Sequence, residues 1–179
     1  LIHSLIMPMR RDSTEIFSDQ ENLWVIDERL TFHHYLASDK AISSYPISVS
    51  SGKEPDIGVL NSPMHGIFDN PILTSETENS PSAITIVEFK KPMRLGLEKK
   101  DDDPIRQVKE YLLKIRDGSA ETKDGRPLRA LKDLPGFCFV ICDLTPEYQK
   151  ECIYMHDMTL SSDQSFLYSH KSNTNAYYE

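Results

Sequence analysis

The chain has 179 residues, 39% hydrophobic and 27% charged, with a formal net charge of −8. That is one domain's worth of sequence with enough apolar material for a core. No apolar run approaches the ~20 residues that cross a bilayer, so no membrane contact is expected. The opening LIHSLIMPMRRDS puts its arginines after its apolar patch, the reverse of a secretory signal. Three cysteines in no framework argue for reduced thiols in a cytoplasmic protein. A start without Met and an aromatic end, FLYSHKSNTNAYYE, suggest a domain cut from a longer chain, whose other domains would then be its partners.

In chain order, residues 1–21 read as a lead-in segment and 22–179 as the domain proper. NLWVIDERLTFHHYLAS predicts a helix: Asn22 suits an N-cap, and Leu23, Ile26 and Leu30 fall at helical spacing. The Ser-rich stretch 38–53 predicts loop with one weak strand near Ile47–Val49, and Pro55–Asn61 a short strand. Residues 62–82 predict a long irregular connection. Ala83–Lys91, AITIVEFKK, is the strongest strand, β-branched and almost continuously apolar up to Glu88. DDDPIRQVKEYLLKIRDG predicts a helix capped by Asp103, with Pro104 in its first turn, Ile105, Val108, Leu112 and Ile115 buried, and Gly118 at its end. A polar loop follows, then a buried strand Gly136–Asp143 and a weaker helix in TPEYQKECIYMHD. A helix joining two buried strands implies a parallel crossover. The expected fold is α/β, a small mixed central sheet flanked by helices.

The residues with chemical content are Asp56, Glu88 and Lys90. Glu88 and Lys90 are two apart on one strand and share a face. An acid and a base ending an apolar strand must pair or coordinate something. If Pro55–Asn61 pairs with that strand, Asp56 and Glu88 approach within metal-bridging distance. Two carboxylates can hold Mg²⁺ or Mn²⁺ with water positions left open, and a lysine can stabilise charge on a phosphate. Alone, the Glu-x-Lys triplet also reads as a strand-end ion pair. Cys138 and Cys142 read as small core hydrophobes, and Trp24 and Tyr35 as core. His33 and His34 read as packed or solvent-facing positions of the first helix, His65 and His156 have no spaced partner, and no G-x-S-x-G elbow is present.

The order of these motifs resembles the PD-(D/E)XK nuclease superfamily. EPDIGVLN is followed by ITIVEFKKP and then by DPIRQVKEY, and the likeness runs from about Asn22 to Asp143. It implies a restriction-endonuclease-like core and divalent-metal-dependent cleavage of nucleic acid, DNA before RNA. Asp56 and Glu88 would be metal ligands, Lys90 the catalytic lysine, and Gln107 the helix residue that approaches the site. Glu28, or alternatively Asp27, would be the acid such sites draw from the first helix. NLWVIDERLTFHHYLASDK also resembles the C-terminal region of large bacterial proteins that begin with a GHKL-type ATPase domain. From Glu88 to Lys132 there are 13 Lys and Arg against 9 Asp and Glu, while the rest of the chain holds 7 against 19. Lys91, Arg94, Lys99 and Lys100 are therefore the expected phosphate contacts. The rival expectations are a catalytically silent module of the same fold, docking nucleic acid or its parent protein, and an interaction domain in which the motif is coincidental.

Overall fold

A computed structural model describes residues 2–31, 33–49, 51–61, 83–99, 101–117, 119–121, 127–130, 134–171 and 176–178. The strands are β1 (His33–Ser38), β2 (Ile47–Ser48), β3 (Ile57–Asn61), β4 (Ala83–Phe89), β5 (Ser119–Glu121), β6 (Pro127–Ala130), β7 (Gly136–Ile141), β8 (Thr159–Leu160), β9 (Leu167–Lys171) and β10 (Ala176–Tyr178). The helices are α1 (Ile2–Ile6), α2 (Pro104–Arg116) and α3 (Pro146–His156). One mixed sheet runs β1-β3-β4-β7-β10-β9-β8, and a small second sheet runs β2-β5-β6. β3 is antiparallel to both β1 and β4, whereas β4 and β7 are parallel and joined through α2. The fold is α/β, a mixed sheet flanked by helices.

Each face of the sheet has its own core. Ile84 and Ile86 of β4, Leu60 of β3 and Cys138 of β7 pack under Val108, Tyr111, Leu112 and Ile115 of α2. Ile57, Val59, Leu36 and Val87 point the other way, onto Ile6, Met7, Leu23 and Leu30. A strand covered on both faces needs apolar side chains at nearly every position, which is why β4 reads as a continuous apolar run. α2 begins as expected: Asp103 accepts a hydrogen bond from the Ile105 amide at 3.0 Å, and Pro104 occupies the first turn. α3 packs beside the start of α2 through Ile105, Tyr148 and Cys152.

Several expectations change. The helix from Asn22 is not formed; two short 3₁₀ turns, Leu23–Val25 and Glu28–Thr31, lead into β1. A 3₁₀ turn brings residues three apart onto one side, so Leu23, Ile26 and Leu30 mimic an α-helical stripe. The run Tyr35-Leu36-Ala37 is buried on both faces, as a covered strand is. Trp24, read as core, is 63% exposed, whereas Tyr35 is buried. The polar loop after α2 contains β5 and β6, and the tail supplies β8, β9 and β10. The lead-in residues belong to the core: Met7 is fully buried, and Asp12 bridges to Ala37. The connection 62–82, with His65, and the helix end at Gly118 lie outside the described residues.

Candidate functional site

The site is built where β1, β3 and β4 end side by side. In the β3–β4 register Ile57 faces Val87, and one residue further Asp56 faces Glu88. Along β4, Ile84 and Ile86 face α2, so Glu88, two residues on, faces α2 as well. Asp56 shares that parity with Gly58 and Leu60 of β3. Directly opposed residues in an antiparallel pair have Cβ atoms about 5 Å apart, so the two carboxylates are neighbours. Oδ2 of Asp56 accepts the Phe89 amide at 2.6 Å, which fixes its carboxylate against β4.

Lys90 folds back over this pair. Its Nζ donates to Glu88 Oε1 at 2.7 Å and to Gln107 Oε1 at 2.7 Å. The Gln107 amide then donates to the Tyr111 hydroxyl at 2.6 Å, one turn along α2. That last bond sets which end of the amide meets Lys90. The Lys90 and Glu88 side chains are only 9% and 5% exposed. Burial pushes the Glu88 carboxyl up, the nearby Asp56 adds to the rise, and Lys90 opposes both. Glu88 Oε2 is buried with no hydrogen-bond partner. A buried carboxylate oxygen left bare is costly in a finished structure and calls for a ligand. Oxygen donors from Asp56 and Glu88 are the chemistry a hard divalent cation takes, so the residues present fit Mg²⁺ or Mn²⁺.

Two residues that the sequence did not single out complete the cluster. Ser38 of β1 faces Ile57 of β3, so the next residue, Asp39, lies beside Asp56, and its amide donates to the Asp56 carbonyl at 3.1 Å. His3 of α1 reaches the same point: its Nδ1 is 3.7 Å from Asp39 Oδ2, and its Nε2 is 2.7 Å from Ser38 Oγ. Ligand atoms of His3, Asp39 and Asp56 lie within 4.8 Å of one another. The signal for Asp39 was present in YLASDK, an acid directly after an apolar strand, but it vanished once that stretch was read as helix. His3 gave no local signal, because only the tertiary fold brings α1 to the strand ends.

Glu28 is exposed on the second 3₁₀ turn and makes no hydrogen bond or ion pair with Asp56, Glu88, Lys90 or Gln107. Asp27 is half-buried between the two 3₁₀ turns. With no helix there, the phase argument that turned Glu28 toward the cleft lapses. Lys91 and Lys99 are exposed on the segment after β4, Arg94 pairs with Asp102, and Lys100 lies outside the described residues. Beside Gln107 opens a concavity of about 300 Å³ lined by Lys53, Arg106, Glu110 and Tyr111 among others. Lys53 and Arg106 both pair with Glu110 there. Cys138, Cys142 and Cys152 are free thiols packed among apolar groups, and burial pushes them up to about 12, 11 and 11. No described helix is long and apolar enough to cross a membrane. Compared with known proteins, the chain matches no family model, no curated protein and no solved structure.

Proposed function

We propose that this chain hydrolyses phosphodiester bonds in nucleic acid, DNA first, with a divalent cation, Mg²⁺ or Mn²⁺, held by Asp56 and Glu88. The observation that carries the reading is the buried Glu88–Lys90–Gln107 chain beside Asp56, with Glu88 Oε2 left without a partner. A bound cation supplies Lewis acidity toward the phosphoryl oxygen and a water of lowered pKa. The protein's own part is positional and electrostatic. Lys90 presents a cation where negative charge grows on the phosphate, and Gln107 with Tyr111 holds that cation in place. Lys91 and Lys99, exposed just beyond the motif, suit backbone phosphates. The grouping of Asp56 with Glu-x-Lys and the helix glutamine supports reading the fold as a restriction-endonuclease-like core, and the buried thiols suit a reducing cytoplasm.

The second reading is a silent module that docks nucleic acid or the rest of a longer protein. It draws on exposed apolar side chains: Leu5, Phe17, Trp24 and Val25 are 71%, 78%, 63% and 58% exposed. Incubation with supercoiled plasmid and with single-stranded DNA across a titration of Mg²⁺ and Mn²⁺ separates the two. Nuclease action gives metal-dependent nicking that a chelator stops. Binding without cleavage at any divalent concentration selects the silent module.

A further inference from the structure

We propose that His3, Asp39 and Asp56 form a second divalent-cation site, adjoining the first at Asp56 and supplying an imidazole nitrogen. The inference deepens the nuclease reading by adding an ion to the same centre, and its geometry stands apart from that of Glu88. Ligands of an imidazole nitrogen and carboxylate oxygens sit about 2.0–2.2 Å from a divalent ion. Donors around one ion are therefore at most about 4.4 Å apart, and these three already lie within 4.8 Å of one another. Shifts of a few tenths of an ångström close the set. Glu88 is not a member of that grouping, so the two sets meet only at Asp56.

The imidazole is prepared as a ligand. Nε2 lies 2.7 Å from the buried Ser38 hydroxyl. With Nε2–H donating there, Nδ1 keeps its lone pair toward Asp39 and Asp56, the arrangement that second-sphere bonds impose on metal-binding histidines. The ring stacks on Phe89 at 5.4 Å and 19°, which fixes its plane. Asp39 adopts φ of 47° at the end of β1, a left-handed conformation that aspartate accepts at a small cost. Its Oδ2 is buried and makes no hydrogen bond. An imidazolium bonded to Asp39 would have satisfied that oxygen, but the 3.7 Å separation from Nδ1 is too long.

Charge points the same way. Asp39 lies beside Asp56, which faces Glu88 across the β3–β4 pair, and Lys90 is bonded to Glu88. A cation beside Asp39 and Asp56 removes the repulsion between them. A set of one nitrogen and two carboxylates favours a first-row transition ion over Mg²⁺.

The test is Mn²⁺ binding to the whole chain without nucleic acid, read by calorimetry and by pulsed EPR, which detects nitrogen bonded to the ion. Wild type is compared with His3→Gln, Asp39→Asn and Glu88→Gln. Asparagine tolerates the left-handed backbone at position 39, so that variant keeps the fold. The proposal expects two ions in wild type, one of them nitrogen-coupled. That ion weakens at least tenfold in His3→Gln and Asp39→Asn and persists in Glu88→Gln. A single ion without nitrogen coupling, indifferent to His3→Gln and lost in Glu88→Gln, overturns this site and leaves the nuclease reading standing. A single nitrogen-coupled ion indifferent to Glu88→Gln keeps this site and overturns the Asp56–Glu88 ligand pair. One ion lost with either residue overturns the two-site arrangement, and no binding at all overturns both.

Discussion

At the scale of single residues, the site depends on hydrogen bonds that hold side chains in one state. Tyr111 accepts a hydrogen bond from Gln107, and that bond decides whether the amide oxygen faces Lys90. Tyr111→Phe frees the amide to turn over. Cleavage should fall about three- to tenfold, the worth of one ordinary hydrogen bond, with divalent affinity unchanged; unaltered turnover would make Tyr111 a packing residue only. Asp12 shows the same logic applied to stability. Burial pushes its carboxyl up, but bonds from Lys40 and Thr14 outweigh that and hold it at about 2, below the ordinary 3.8. A depressed carboxyl stabilises the fold above its unfolded value and loses that contribution as pH falls through the folded one. Wild type should therefore lose about 2 kcal/mol between pH 4 and pH 2 that Asp12→Asn does not lose. Urea midpoints across that range measure it, and parallel pH profiles for the two proteins would contradict the assignment.

At the scale of elements, β3 is held down by the Tyr45 ring. A Cβ on Gly58 would meet the Tyr45 hydroxyl at 2.1 Å. Gly58→Ala should cost about 1–3 kcal/mol by overpacking and should disturb Asp56, two residues upstream; calorimetric melting checks this, and an unchanged midpoint would mean the ring moves freely. Legibility in the sequence followed how locally each element is specified. β4, α2 and β7 were readable because apolar continuity, the Asp103 cap and Pro104 lie within their own stretches. Asp56, Glu88, Lys90 and Gln107 sit on or beside those elements, so the sequence brought their grouping within reach. β1 was misread because 3₁₀ turns counterfeit the helical period, and with it went Asp39. β10 lies between β7 and β9, a placement that depends on the sheet and not on its three residues.

At the scale of the whole molecule, the two cores serve one purpose: they hold three strand ends level so that Asp39, Asp56 and Glu88 converge. The lead-in residues matter to this as much as the central motif does, since α1 both seals the second core and delivers His3. Met7→Ala removes a fully buried side chain and should cost about 2–5 kcal/mol, seen in denaturant unfolding; a loss under half a kcal/mol would return residues 1–21 to a loose lead-in. Lys90 is where the proposed chemistry stands or falls, and calorimetric divalent binding paired with nicking of supercoiled plasmid, for wild type and Lys90→Ala, measures its part. Wild type should nick, and Lys90→Ala should bind the ion while losing cleavage at least about a hundredfold, the scale of one preorganised electrostatic contact. Full nicking activity in Lys90→Ala would contradict this and reduce the Glu88–Lys90 pair to a strand-end salt bridge.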